Sequence, residues 1–190
     1  MQDLNETAHK VLDVAERYTQ TRGFNAFSYK DLQREVGVKT SSIHYYFPTK
    51  QDLAFSMTER YIEHFRCRLD DIAQQRSQGI ARLEALGQLY VSVVKEGKFC
   101  MCGMLASDML ALPDEVNDKL VEFFQLMENW VTVSIELGKE QGHIKDTINC
   151  RPAAAHFLAA LEGGMLIARS KKRPEYFEDI ISEALMQMKG

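Results

Sequence analysis

The chain has 190 residues, 45% of them hydrophobic, which suffices for one large or two small domains with buried cores. No run approaches the roughly 20 apolar residues of a membrane-crossing helix, and the opening Met1-Gln2-Asp3-Leu4-Asn5-Glu6 has neither the positive flank nor the apolar stretch of a signal peptide. The expected location is therefore the cytoplasm, with no membrane partner, and Cys67, Cys100, Cys102 and Cys150, which lack disulfide-framework spacing, are read as reduced thiols. The net charge of -4 excludes binding of a polyanion by bulk charge alone. Divided, it is less uniform: residues 1–50 hold seven Lys and Arg against six acids, the remainder 16 against 21.

Leu4, Ala8, Val11, Leu12, Ala15 and Tyr18 repeat at helical spacing, which predicts a first helix from about Asp3 to Arg22, with Phe24 and Phe27 completing a small core. Ser28 is a good N-cap, and Asp31 in the following turn favours the positive end of a second helix. Leu32 and Val36 fall on one face of it, and Gly37 supplies the left-handed residue that ends it. Thr40 or Ser41 then caps a third helix that runs roughly to Phe47. Two short helices joined by a tight glycine turn form a helix-turn-helix signature. No basic arm precedes the first helix, so minor-groove reading of the homeodomain kind is not expected.

The chemistry lies on the third helix. Thr40, Ser41, Ser42, His44, Tyr45 and Tyr46 give it short hydroxyls and flat rings, between Lys39 and Lys50, and only Ile43 and Phe47 have the spacing of buried residues. Hydroxyls bond phosphate oxygens, and threonine methyls or aromatic edges touch thymine methyls in the major groove. A merely solvated helix would favour Glu, Lys and Ala over this run of poorer helix formers.

At this point the sequence resembles the TetR-type bacterial transcriptional repressors. The resemblance rests on Gly23-Phe24 closing the first helix, Ser28-Tyr29-Lys30-Asp31-Leu32 opening the second, Val36-Gly37-Val38 at the turn, and above all Ile43-His44-Tyr45-Tyr46-Phe47-Pro48-Thr49-Lys50-Gln51-Asp52-Leu53. His44 stands where the family usually has tyrosine, and Lys39-Thr40-Ser41 departs from the commoner serine-lysine-glycine order; both departures bear on base preference. The resemblance implies a sequence-specific regulator with a double-stranded DNA operator as partner, read by Ser28, Tyr29, Lys39, Thr40, Ser41, Ser42, His44, Tyr45, Tyr46 and Lys50. It also implies a homodimer and release by a small-molecule inducer.

Pro48 ends the third helix, Thr49 caps the next and Asp52 lies in its first turn. This long helix reaches about Gln75, with Leu53, Met57, Tyr61, Phe65, Leu69 and Ile72 on one side, and is the candidate lever between two domains. Further helices are predicted near 80–96, 101–112 and 114–141, then from Arg151-Pro152 to about Arg169, and finally from Pro174 onward. The expected architecture is all-α, with about nine helices and no strand. A three-helix helix-turn-helix domain occupies residues 1–50, and a helical ligand-binding and dimerisation domain residues 51–190.

The stripe Phe123, Met127, Trp130, Val131 and Ser134 is expected to face Tyr61, His64 and Phe65, with Tyr90 and Met104 nearby. The family resemblance implies an inducer pocket there; rings and methionines adapt to irregular apolar ligands, while ordinary core packing remains the other reading of each residue. The penultimate helix is small-sided, with Ala153, Ala154, Ala155, Ala159, Ala160, Gly163, Gly164 and Ala168, and suggests a homodimer seam or close packing within the chain. Cys100 and Cys102 follow Lys95 and Lys98 at a helix start, where thiolate would be favoured, so a thiol-sensing repressor is the alternative to an inducer pocket. No cofactor or metal is expected. The pairs Glu6/His9 and Glu140/His143 fall at a chain start and a helix end rather than in a bundle centre. Cys100-Met101-Cys102 is too tight for a zinc knuckle, so the chain does not read as an enzyme.

Overall fold

A computed structural model describes residues 5–190; Asp3 and Leu4, where the spacing begins the first helix, lie outside the described residues. Among those residues the fold is all-α. Its helices are α1 (Glu6–Arg22), α2 (Tyr29–Val36), α3 (Thr40–Tyr46), α4 (Lys50–Gln75), α5 (Gly79–Lys95), α6 (Met101–Ala106), α7 (Asp114–Glu140), α8 (Cys150–Ser170) and α9 (Glu175–Met188). Short 3-10 turns at Phe24–Ala26 and Met109–Ala111 complete it. The chain forms two compact units, one of Met1–Glu63 with Cys100–Val121, the other of His64–Phe99 with Glu122–Gly190.

In the first unit α1 is the central element, with α2, α3 and α6 packed on it. Asn5 caps its start by accepting from the Ala8 N–H at 3.1 Å. Ala8, Val11, Leu12, Ala15 and Tyr18 form its buried stripe; the Phe27 ring meets Tyr18 at a tilt and Phe24 edge to face, with centroids 5.6 and 5.8 Å apart. Arg60 of α4 clamps α1 from the other side, reaching Asp13 at 2.7 Å and Glu16 at 3.2 Å with its side chain only 13% exposed.

The run predicted as one helix over 101–112 is broken. After α6 the chain turns, with the Asp108 N–H on Leu105 O at 2.9 Å, and then makes a 3-10 turn in which Leu110 is fully exposed. Pro113 has no N–H, so the chain could not run on through it as a helix. Met109 O accepts instead from the Leu112 N–H at 3.2 Å and from the Asn117 amide at 3.1 Å.

In the second unit α8 packs on α9 and α5 packs on both. Gly164 of α8 lies where an added Cβ would meet the Phe177 ring of α9 at 3.0 Å, so its missing side chain allows that approach, whereas Gly163 faces open space. A closer crossing joins α5 to α7. A Cβ at Gly79 would fall on the backbone of Ser134 and Gly138, while one at Gly138 would meet Ile144 Cδ1 at 2.6 Å. Gln141 secures this crossing, accepting from the Gly79 N–H at 2.9 Å and donating to Ser77 O at 2.9 Å. Because backbone cannot withdraw as a side chain can, Gly79→Ala is expected to destabilise the protein by about 3 kcal/mol, read as a lowered urea midpoint with unchanged slope.

Candidate nucleic-acid interface

Each end of the helix-turn-helix is set by a local device. At the start of α2 the Asp31 carboxylate accepts from the Ser28 hydroxyl at 2.7 Å and the Ser28 N–H at 2.8 Å. These bonds, the hydroxyl first, hold the Asp31 carboxyl below the usual carboxylate range. Gly37 ends α2 at φ 77°, a left-handed conformation that glycine adopts without steric cost. Glu35 ties α2 to α1, accepting from Arg17 at 2.6 Å and from the Tyr18 hydroxyl at 3.0 Å; both lower its pKa, Arg17 the more.

The N-cap of α3 is Lys39 rather than Thr40 or Ser41. The Thr40 hydroxyl is turned aside to the Gln33 side-chain oxygen of α2, so the helix starts one residue sooner than a hydroxyl cap at Thr40 requires. At its other end α3 stops before Pro48, and α4 opens with Thr49 and Asp52, whose carboxylate accepts from the Thr49 N–H and hydroxyl at 2.9 and 2.7 Å.

Between the two helices two side chains lie within reach of three successive carbonyls. The Tyr29 hydroxyl lies 2.8 Å from Phe47 O and 2.5 Å from Thr49 O, and His44 Nδ1 is 3.0 Å from Pro48 O. A carbonyl only accepts, so His44 Nδ1 carries a proton in this bond. The Tyr29 and His44 rings also meet, with centroids 4.7 Å apart. Burial, and after it the Asp52 charge, pushes the Tyr29 phenol well above its ordinary value.

Lys50 is also turned into the unit. Its ammonium donates to Phe24 O at 2.6 Å and Phe27 O at 2.7 Å and sits 4.5 and 4.6 Å from the centres of their rings. Burial lowers its pKa, against the opposing pull of Asp108 and Asp31.

The remaining residues of the set are on the surface. Ile43 and Phe47 are buried, whereas Ser28, Lys39, Ser41, His44 and Tyr45 are exposed and Tyr29, Thr40, Ser42 and Tyr46 half-buried. Tyr45 is 79% exposed, its ring resting edge-on against Tyr46. The Tyr46 hydroxyl accepts from the Asn5 amide, a partner that sequence spacing could not supply.

The residues expected to line an inducer site divide between the units. In the first unit Tyr61 is buried, its hydroxyl 3.9 Å from Cys100 Sγ, and Met104 is half-buried. In the second, Phe65 meets Phe123 and Tyr90 edge to face at 5.3 and 6.2 Å. Met127, Val131 and Ser134 are buried, with the Ser134 hydroxyl donating to Trp130 O at 2.9 Å, and Trp130 is half-buried. His64 lies on the exposed side of α4. One residue was overlooked: Glu162 accepts from the Tyr90 hydroxyl at 3.2 Å. The available signal was that it is the only acid in α8. Among the described residues no cluster of three or more His, Cys, Asp or Glu is placed to hold a metal ion, and no helix is long and apolar enough to cross a membrane.

A capped α2, a glycine turn and an α3 that presents hydroxyls and rings define a helix-turn-helix DNA-binding protein. Residues 11–57 match the family model described as bacterial regulatory proteins, tetR family, and residues 79–184 match that described as the tetracyclin repressor-like C-terminal domain. The chain belongs to the TetR family of transcriptional regulators. It is 25% identical over 165 residues to the transcriptional regulator AcuR of Cereibacter sphaeroides, covering 81% of this chain and 72% of that protein. A TetR-family regulator from Agrobacterium tumefaciens superposes with a TM-score of 0.93 at 28% identity, over 97% of this chain and 98% of that one. A second, from Legionella pneumophila, gives 0.87 at 27% identity, over 98% and 100%.

Tyr29→Phe removes the phenol proton shared between the Phe47 and Thr49 carbonyls without changing the ring, and is expected to cost about 1 kcal/mol of stability. The raised phenol pKa means that this contribution is complete below the ordinary tyrosine value and is lost as pH rises through the folded-state value. The variant should therefore lose stability near neutrality and also lack the last-titrating phenol in an ultraviolet absorbance titration. Lys50→Met keeps an apolar stem over the Phe24 and Phe27 rings but strands their carbonyls. Discounted for partial exposure, the expected loss is about 1–2 kcal/mol, measured by chemical denaturation.

Proposed function

We propose that this regulator is a homodimeric repressor that binds a pseudo-palindromic operator through α3 and is released from it by a small apolar or amphipathic inducer. The observation that carries the DNA reading is the exposure of the Tyr45 ring at 79%, beside the exposed Ser41 and His44, on a helix whose Ile43 and Phe47 are buried. Under this reading residues 1–50 form the DNA-binding domain, with Tyr45 reading a base edge and Lys39, Ser41 and Ser42 reaching phosphates. Residues 51–190 bind the inducer and dimerise.

The homodimer is supported by the outer face of α8. Ala155, Ala159, Leu166 and Ile167 are exposed there, and Met186 is exposed on α9. Small and apolar side chains on one face suit the close approach of a second copy, and two-fold symmetry would set the recognition helices about 34 Å apart. The inducer reading is supported by the ring cluster of Phe65, Tyr90 and Phe123 with Met127, into which Glu162 brings a carboxylate through Tyr90. Cys100 and Cys102 are both buried, and Cys100 Sγ accepts from the Gly103 N–H at 3.5 Å. We therefore read them as packing groups rather than sensors.

The test is selection of bound fragments from a random or genomic DNA pool, followed by titration of the selected site with parent and Tyr45→Ala. The variant is expected to lose about 1–3 kcal/mol on that site and to discriminate less against base changes. Sedimentation should give a dimer at micromolar concentration, and the selected sites should carry two half-sites. Equal affinity and equal discrimination for parent and variant would rule out Tyr45 as a reader.

A further inference from the structure

Asn5 stands at the start of α1 and performs two tasks with one amide. Its side-chain oxygen accepts from the Ala8 N–H at 3.1 Å, which caps the helix, and its backbone carbonyl accepts from the His9 N–H at 3.1 Å. The cap fixes which end of the amide is which. Two donors cannot bond to each other, so the amide oxygen faces the Ala8 N–H and the nitrogen is left to face Tyr46, 41 residues further on.

An amide nitrogen only donates. The Tyr46 oxygen therefore accepts from Asn5, and its own proton points elsewhere. Among the described residues no group accepts that proton. The ring is held as well: Tyr45 meets it edge-on with centroids 4.9 Å apart, and Phe47 meets it at a tilt with centroids 6.4 Å apart. Tyr46 thus presents an oriented donor from a half-buried side chain at the end of α3. A phosphate oxygen only accepts, and its charge strengthens such a bond. Recognition helices read bases chiefly with their N-terminal residues, whereas Tyr46 is the last residue of α3. Its donor suits the DNA backbone rather than a base edge.

We propose that Tyr46 donates its phenol proton to an operator phosphate, and that Asn5 is the positioning residue that turns this proton outward. The contact rests on the reading of α3 as the helix that faces DNA, and it ties the start of α1 to that face. Without the Asn5 amide the phenol proton has two in-plane positions instead of one, and part of the donor's orientation is lost.

The experiment is titration of the selected operator duplex, and of duplexes with single base changes in it, with the parent, Asn5→Ser, Tyr46→Phe and the double variant, at several salt concentrations. Serine caps a helix as well as asparagine but has no second arm to reach Tyr46, so Asn5→Ser should keep the parent's thermal midpoint. Tyr46→Phe should weaken binding about tenfold per half-site, as for a hydrogen bond to a charged group, and by the same factor on every duplex. A neutral donor releases no counterion, so the salt slope should stay that of the parent. Asn5→Ser should weaken binding about threefold in the parent and not at all in Tyr46→Phe, since it acts through the hydroxyl. Equal affinity of the parent and Tyr46→Phe removes the phosphate bond, and a loss confined to particular base changes moves the contact to a base edge. An Asn5→Ser loss that persists undiminished in Tyr46→Phe, or no loss at all, removes Asn5 as the positioning residue. Tyr45→Ala, measured alongside, keeps the two readings apart. If it loses affinity and discrimination while Asn5→Ser and Tyr46→Phe match the parent, α3 is the reader and the Tyr46 contact is wrong; if Tyr45→Ala matches the parent too, the reading of α3 fails with it.

Discussion

Pro48 is the constraint on which the helix-turn-helix depends. It interrupts the hydrogen-bond ladder between α3 and α4, and the carbonyls of Phe47 and Pro48 are left outside both helices at the joint, whereas Thr49 O already accepts from the Leu53 N–H at 3.2 Å. Two side chains from within the same unit serve this joint: Tyr29 from α2 shares its one hydroxyl proton between Phe47 O and Thr49 O, and His44 from α3 donates to Pro48 O. Lys50, the first residue of α4, reaches back to the two carbonyls that frame the Phe24–Phe27 turn. The joint thus fixes the direction of α3 by polar bonds to backbone, whose positions do not depend on which side chains α3 displays.

That independence matters because α3 is seven residues long, too short to be stable by its own hydrogen bonds. Its stability comes from Ile43 and Phe47 in the core and from the joint at its end. The residues on the outer face contribute little to folding and are free to serve recognition. His44 is the exception, since one ring nitrogen is committed to Pro48 O while the other faces outward. Changing His44 would alter the displayed surface and the joint together, whereas changing Tyr45 touches the surface alone.

Helix limits were legible wherever the sequence carries its own punctuation. Ser28, Gly37, Pro48 and Pro174 mark ends that the structure places within a residue or two, because caps and breakers act locally. The break after Ala106 was not legible from apolar spacing: Met109 and Leu110 continue the pattern, while the backbone turns at Asp108 and Met109 O is shared by the Leu112 N–H and the Asn117 amide. In the interface, the residue types and their order were legible, while the partners of Tyr29 and Lys50 were not. Those partners lie 18 to 26 residues away in sequence, and no periodicity encodes a bond of that range. Glu162 was legible as an oddity, an acid in a small-sided helix, yet its pairing with Tyr90 depends on how α8 meets α5.

The crossing of α5 and α7 has a consequence for how this chain can change over generations. Gly79 faces backbone, so no substitution at a neighbouring position can make room for a side chain there; the position is closed. Gly138, four residues beyond Ser134, faces the Ile144 side chain instead. A residue with a Cβ becomes admissible at 138 once 144 has become smaller, and not before. The two glycines meet at one crossing, but one is a fixed point of the sequence and the other is conditional on the order in which its neighbour varies.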